Sequence, residues 1–574
     1  MPVHNADIAA AFENIADLLE IQGANPFRIR AYRNAARTFS ELSHEARELL
    51  AAGADLTRLP GIGDDLAGKV RELVDTGHCG VLDRLRKELP PAVTELLRIP
   101  GLGPKRVKTL WHDLGVQTVE QLAHAAAAGR IRLLHGFGEK TERSILEAVR
   151  AQADQQRRIL RSVAAQYAGS LQAALAAVPG VQQVTMAGSF RRCCETVGDL
   201  DLLVSASDTA AVMRRFTTYD EVADVLSAGD TRGSILLKSG LQVDLRVVTA
   251  ESYGAALHYF TGSKAHNIAI RRLGQKQGLK INEYGVFRGR SRIAGTTEAS
   301  VYEALGLPYI PPELRENRGE IEQAQSGHLP QLVARADLRG DLHAHTRDSD
   351  GRDTLEAMAK AAQAQGLSYL AITDHSAHLG VTHGLDAARL RSQGEAIDRL
   401  NGTFSGFTLL KGVEVDILED GRLALSDTVL SRLDVVIASV HSHFDLPRTR
   451  QTERLLRALD HPHVTLLGHP SGRLLGKRAP YDVDMERVIR KAGERGCFLE
   501  LNSQPLRLDL NDLHCRMARD AGALVSINSD AHSTFDLANL ESGVGQARRG
   551  WLEKRHVLNT RPLGALRDML GINP

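Results

Sequence analysis

The spacing of apolar and polar positions divides the chain into regions of different texture. From residue 1 to about 150, Ala- and Leu-rich runs recur at helical spacing with short glycine interruptions, which predicts a helical region. From about 160 to 306 the pattern becomes mixed, and the runs Val184–Gly188, Leu200–Val204 and Gln242–Val248 predict strands. A polar stretch containing Pro308, Pro311, Pro312 and Pro330 predicts a linker. From Leu338 onward β-rich runs recur at 338–343, 369–373, 408–414, 435–441, 464–468, 497–501 and 524–528, with helical segments between most of them. These seven β/α units predict a parallel sheet closed into a barrel, a distorted relative of the eight-stranded form.

Length and composition narrow the class. A chain of 574 residues is too long for one core and implies three or four domains. With 43% hydrophobic and 25% charged residues it reads as ordinary soluble globular protein. A net charge of +1 means that any nucleic-acid contact must come from local basic surfaces or backbone groups. The five cysteines, 79, 193, 194, 497 and 515, form no C-x-x-C, which argues against a zinc finger or disulfide scaffold and for a reducing cytoplasm. An 18-residue apolar run and a signal-peptide core are both lacking, so a cytoplasmic protein without a membrane partner is expected.

Three chemical constellations stand out. The first is a G-h-G turn repeated three times before a helical run, at Gly61-Ile62-Gly63, Gly101-Leu102-Gly103 and Gly136-Phe137-Gly138. Glycines permit a tight hairpin, and the backbone N–H groups of the following helix can then face a phosphate. Lys105 follows the second copy. The repeats resemble helix–hairpin–helix motifs, which grip the DNA backbone without reading sequence.

The second constellation is Gly188-Ser189-Phe190-Arg191-Arg192 followed by Gly198-Asp199-Leu200-Asp201, with Asp244 in Val243-Asp244-Leu245-Arg246. On a strand, Asp199 and Asp201 point to one face, and Asp244 can reach them from a neighbouring strand. Three such carboxylates suit two hard cations, Mg2+ or Mn2+, bridging a triphosphate. Ser189 and Arg192 would hold phosphates, and the Gly188 and Gly198 backbone would allow close approach. The alternative is a salt-bridged Asp cluster. The pattern resembles a nucleotidyltransferase palm. The following Tyr259-Phe260-Thr261-Gly262-Ser263 resembles the family X DNA polymerases. That resemblance implies Tyr259, Phe260 and Gly262 at the deoxyribose, Asn267 at the base edge and Arg271 near the template. It also implies a lysine nucleophile of a lyase at Lys69, and a 5′-phosphate pocket around Asn25–Arg33, although Asp65 stands where lyase members commonly carry a basic residue. Cys193-Cys194 likewise departs from the Gly or basic residue frequent in relatives.

The third constellation gathers His343, His345, Asp350, His375, Glu414, His441, His469, Asp530 and His532, nearly all at or just past the end of a predicted strand. Imidazoles and carboxylates so placed do not belong in a hydrophobic core unless something binds them. The series resembles the PHP (polymerase and histidinol phosphatase) domain. By that resemblance His343, His345, Glu414 and Asp530 would hold one metal, Glu414 with His441 and His469 a second, and Asp350, His375 and His532 a third. The ligand chemistry suits Mn2+, Zn2+ or Fe2+.

The order of parts resembles the bacterial family X DNA polymerases across essentially the whole chain. The implied domains are an N-terminal helical domain with the first hairpin (1–85), a fingers-like hairpin region (86–155), a palm (156–250), a thumb (251–310), the linker (311–337) and the PHP barrel (338–574). The implied activity is gap-filling synthesis on gapped or nicked DNA with dNTPs, joined to a 3′→5′ exonuclease that also takes blocked 3′ ends or abasic sites, in a monomer. The competing readings are a PHP phosphoesterase with an inactive palm and a non-catalytic DNA-binding scaffold.

Overall fold

The computed structural model describes residues 3–42, 45–89, 93, 96–99, 102–134, 136–152, 158–378 and 382–572. Contacts divide the chain into two compact units. The first comprises residues 1–159 with 218–224 and 236–242. Its N-terminal helices Asn5–Gln22 and Pro26–Glu41 pack through Phe12, whose ring meets Tyr32 and Phe39 edge-on at 5.8 and 6.0 Å. Asn25 caps the second helix by accepting the Phe27 N–H, and Pro26 at the first position supplies a ready-made φ.

The palm is a five-stranded sheet in the order Val181–Met186, Asp199–Ala206, Gln242–Val248, Arg232–Leu237, Val222–Ala228. The first two strands pair antiparallel, with Met186 opposite Leu202. The apolar run ending at Gly188 is not all strand: pairing stops at Met186, and Gly188, at φ +60°, opens the helical turn Gly188–Arg191. The strands Val222–Ala228 and Arg232–Leu237 were not anticipated, because the first is exposed along most of its length and carries no alternation. Helices Tyr253–Thr261 and Lys264–Lys276 and a three-stranded sheet follow, packed around Ile270, Leu279, Val286 and Tyr302. The proline-containing stretch after residue 308 is tightly packed, with Arg315 and Glu320 fully buried and Val333 in the barrel core.

The last region is a seven-stranded parallel sheet whose spatial order equals chain order: Gly340–Asp341, Tyr369–Ile372, Thr408–Asp416, Val435–Ser439, Leu466–Leu467, Phe498–Asn502 and Val525–Asn528. The first and last edges meet through the parallel bridge Ala344–Ala531, where the His345 N–H donates to the Ala531 carbonyl at 2.8 Å. The barrel is therefore nearly closed. Alternate residues face opposite layers: Tyr369 and Ala371 join the inner cluster, Leu370 and Ile372 the outer one. Both faces are covered, which is why these strands read as continuous apolar runs. Polar residues are left to the C-terminal strand ends.

Candidate active sites

Asp199 and Asp201 share a face of one palm strand, and Asp244 lies on the adjacent strand Gln242–Val248. Burial raises the Asp201 carboxyl to about 7, with the negative charges of Asp199 and Asp244 adding to it. Three carboxylates gathered on one sheet face, one of them desolvated, form a site whose donor chemistry fits a divalent cation. Gly188 is required here: a Cβ would overlap the Asp201 carboxylate. Beside it, Arg192 donates through Nε to Glu316 at 3.0 Å and through Nη1 to the Thr261 carbonyl at 2.7 Å. Arg191 is held apart, bidentate on buried Glu298 at 2.7 and 2.8 Å. Tyr259 and Phe260 are half-buried with their rings 5.2 Å apart, and Arg271 and Arg246 sit over them at 5.8 and 5.3 Å. Gly262, at φ +69°, ends their helix. Asn267 donates to the Tyr259 carbonyl at 2.7 Å, and its buried Oδ1 has no hydrogen-bond partner.

At the C-terminal ends of the barrel strands the nine predicted residues converge. Glu414, 1% exposed, lies at their centre. One of its oxygens faces His469 Nε2 at 2.9 Å and His441 Nε2 at 3.2 Å; the other faces His375 Nδ1, His343 Nε2 and His345 Nε2 at 3.0, 3.5 and 3.6 Å. His345 Nε2 also lies 3.2 Å from Asp530, and Asp350 lies 3.5 Å from both His375 and His532. Three overlapping groups have ligand atoms close enough for one ion each: His345, Asp350, His375 and His532; His343, His345 and Asp530; His375, Glu414 and His441. His345 and His375 thus each serve two groups, a sharing that the sequence did not suggest. Burial lowers the His469 imidazole to about 4, with Arg507 adding to the effect. Burial also disfavours charge on His532, but Asp350 outweighs it and raises that imidazole to about 9. Both nitrogens of His345 and Nε2 of His343 are buried without a hydrogen-bond partner. Orphaned imidazole nitrogens aimed at carboxylates fit a metal cluster and fit little else. His469 and Asp530 also adopt positive φ, at +28° and +52°, an unfavourable backbone state that the packed surroundings hold in place.

Against this geometry the comparisons with known proteins fall into place. Residues 158–254 match the DNA polymerase beta palm, 256–316 the DNA polymerase beta thumb, 341–504 the PHP domain, and 3–79 and 93–151 two helix-hairpin-helix families. The chain is 39% identical over 565 residues to the DNA polymerase/3′-5′ exonuclease PolX of Bacillus subtilis, covering 98% of each. The chain belongs to the family X DNA polymerases that carry a C-terminal PHP domain. A probable phosphatase of Thermoanaerobacter sp. is 30% identical over 242 residues, 40% of this chain and 93% of that one. Rat DNA polymerase lambda is 26% identical over 347 residues, 54% of this chain and 56% of that one.

As in other members of this family, synthesis and excision sites share one chain. Residues beyond the predicted set lie directly against this cluster. His343 Nδ1 meets Glu500 at 2.6 Å and His441 Nδ1 meets Asp416 at 2.9 Å, which turns each Nε2 toward the cluster. Asn502 donates to Asp530 at 2.8 Å, and the Arg507 guanidinium lies 3.6 Å from the same carboxylate. Glu500 had a signal: a charge inside the apolar run Phe498-Leu499-Glu500-Leu501 of a strand to which no ligand was assigned.

In the first unit the hairpins take a common form. Gly61 and Gly136 have φ of +67° and +82°, and Ile62, Leu102 and Phe137 are buried. Gly63 and Gly103 cap the helices Asp64–Thr76 and Pro104–Leu114, leaving first-turn N–H groups without a capping side chain; Gly138 directly precedes Glu139–Gln152. Gly101 lies outside the described residues. The three starts differ in charge: Asp64 and Asp65 open the first helix and Glu139 the third, whereas Lys105 and Arg106 open the second. Lys69 is ion-paired with Asp65, and Arg33, in the predicted 5′-phosphate pocket, is bound by Glu13, Asp17 and Glu20 at 2.8, 2.9 and 2.7 Å. Among the described residues no helix is long and apolar enough to cross a membrane.

Proposed function

We propose that this polymerase fills short gaps in repair of DNA and that its PHP site trims the 3′ end first, at a metal cluster of its own. The observation that carries the reading is two complete sites in one chain, the Asp199–Asp201–Asp244 face and the Glu414-centred cluster. In the palm, Asp199, Asp201 and Asp244 would hold Mg2+ or Mn2+, which supplies charge neutralisation for a triphosphate and a primer 3′-oxygen. Arg192, Ser189 and the N–H groups of the turn opened by Gly188 bind phosphate oxygens, with the Gly198 backbone allowing close approach. Tyr259, Phe260 and Gly262 shape the sugar pocket, Asn267 Oδ1 is turned to the base edge, and Arg271 lies toward the template. In the PHP domain the nine ligands would hold up to three Mn2+, Zn2+ or Fe2+ ions, which supply Lewis acidity toward phosphate. Glu500 and Asp416 orient two of the ligating imidazoles, and Arg507 supplies positive charge beside Asp530. The hairpin glycines Gly61, Gly63, Gly101, Gly103, Gly136 and Gly138, with Lys105, hold gapped or nicked DNA, the second hairpin most strongly.

Lyase action by Lys69 has less support, because its side chain is engaged by the Asp65 carboxylate instead of being presented to a sugar. The likeness to probable phosphatases favours a second substrate for the PHP site, a 3′-phosphate monoester end. A primer-extension gel on gapped DNA tests the reading, with Mn2+ present and dNTPs present or omitted. Extension with dNTPs and shortening without them is expected. Absence of extension would leave only the phosphoesterase. A parallel primer ending in 3′-phosphate distinguishes monoester removal from nucleotide excision.

A further inference from the structure

One face of the barrel-domain helix Leu540–Arg549 lies against the loop that carries Arg192. Arg549, 8% exposed, reaches out of its own domain. Its Nη1 donates to the Arg192 carbonyl at 2.8 Å and to Glu316 Oε1 at 2.9 Å, while Nη2 holds Asp512 at 3.0 Å. That same Glu316 oxygen accepts from Arg192 Nε at 3.0 Å. One carboxylate atom therefore joins a PHP-domain arginine to the palm arginine. Neighbouring residues of the helix hold the loop at other points. Gln546 donates to Glu195 at 2.6 Å, and a Cβ at Gly545 would lie 3.2 Å from that of Cys193, which turns the loop at φ +56°. Glu195 is further gripped by Arg473 of the barrel at 2.5 and 3.1 Å.

We propose that Arg549 is a positioning residue for nucleotide addition: through Glu316 and the Arg192 carbonyl it sets the Arg192 guanidinium that receives the incoming triphosphate. The inference rests on the assignment of Arg192 to the triphosphate. Arg192 spends Nε on Glu316 and Nη1 on the Thr261 carbonyl, the residue before Gly262, and its Nη2 lies 4.0 Å from the Cys194 sulfur, so the guanidinium is held in a fixed frame. With Arg549 present, Glu316 is shared between two cations. Without it, Glu316 and the Arg192 carbonyl lose the donor that fixes them, and the guanidinium they orient loses part of its frame. The barrel domain thereby contributes to the polymerase reaction without touching the nucleotide.

Steady-state single-nucleotide gap filling by full-length Arg549→Met tests this. The KM for dNTP should rise roughly tenfold, a difference a charge-assisted contact can supply, while the Kd for gapped DNA and the nuclease rate stay at the wild-type level. Glu316→Gln should also raise the KM, and the double variant should be no worse than the poorer single one, because both act through one contact. A wild-type KM for Arg549→Met overturns the proposal. If that variant loses nuclease activity and unfolds early, Glu316→Gln decides: a raised KM supports the relay, an unchanged one overturns it. Arg192→Gln separates the two readings. If it leaves the dNTP KM unchanged, the assignment of Arg192 to the triphosphate is wrong. If it raises the KM while Arg549→Met does not, only the relay is wrong.

Discussion

Asp201 illustrates how much one residue's surroundings decide. An unfolded aspartate titrates near 3.8, the folded Asp201 carboxyl near 7, so the folded state holds its proton more tightly. Stability without cations is therefore lost as pH rises through that window, and a cation that takes the proton's place restores more of it above pH 7 than below. The gain in Tm on adding Mg2+ should be larger at pH 8 than at pH 6, and Asp201→Asn should remove that difference; an equal gain at both pH values in the wild type would contradict it. Asp201→Ala should slow nucleotide incorporation at least about a hundredfold while leaving excision intact. Primer extension and 3′ trimming on one DNA check both. In the PHP site, Glu500 meets the His343 imidazole at 2.6 Å and accepts the His469 backbone N–H at 2.7 Å, so it acts on the cluster from behind two of its histidines. Glu500→Gln should weaken Mn2+ binding by about 10- to 100-fold with the fold retained. Titration of nuclease activity with Mn2+ reads this as a shifted midpoint whose plateau is kept. An unshifted midpoint would make Glu500 a packing residue only.

At the scale of elements, the helices that follow the three hairpins differ in the charge of their first turns. A helix N-terminus attracts phosphate through its unpaired N–H groups, and acidic first-turn residues offset that attraction. The helix Pro104–Leu114, with Lys105 and Arg106 in its first turn, should therefore be the strongest phosphate site of the three. Lys105→Ala should weaken gapped-DNA binding and lower the slope of log Kd against log salt by about one, since one phosphate contact releases about one counterion. Asp64→Ala, at the first helix, should leave binding unchanged or tighten it. Fluorescence anisotropy at several salt concentrations reads both, and an unaltered slope for Lys105→Ala would remove the second hairpin from the interface.

The whole molecule joins two active sites through packed, charged contacts between the palm loop and the barrel, with Arg473–Glu195 and Arg549–Glu316 as the links. The two chemistries use different side chains, so they should separate by mutation. His343→Ala should lower 3′→5′ degradation by orders of magnitude and keep extension within a few-fold of wild type. Thermal unfolding measured beside both activities distinguishes loss of a ligand from loss of the barrel. A folded His343→Ala protein that still trims DNA at the wild-type rate in Mn2+ would place the nuclease elsewhere.

The barrel was legible in the sequence because parallel strands covered on both faces read as uninterrupted apolar runs, and all seven runs coincide with observed strands to within a few residues. The convergence of its histidines and carboxylates was legible for the complementary reason: such residues at the ends of these runs have no place in an apolar core. The palm carboxylates were equally plain, since Asp199 and Asp201 are two apart on a strand. The strand Val222–Ala228 was not, because an exposed edge imposes no alternation on its residues; its inner neighbour Arg232–Leu237 does alternate in burial and was missed. Nor could the sequence show that Glu414 would face five histidines, that His345 and His375 would each serve two ligand groups, or that Lys69 would be paired with Asp65. Arg549 lies 357 residues from Arg192 along the chain and is one more arginine on an amphipathic helix. Local pattern determined which residues turn inward and where strands end, because burial and backbone periodicity act over a few positions. Which charges meet across hundreds of residues was decided only when the domains packed, because Coulomb and hydrogen-bond energies depend on ångström distances that the order of residues does not contain.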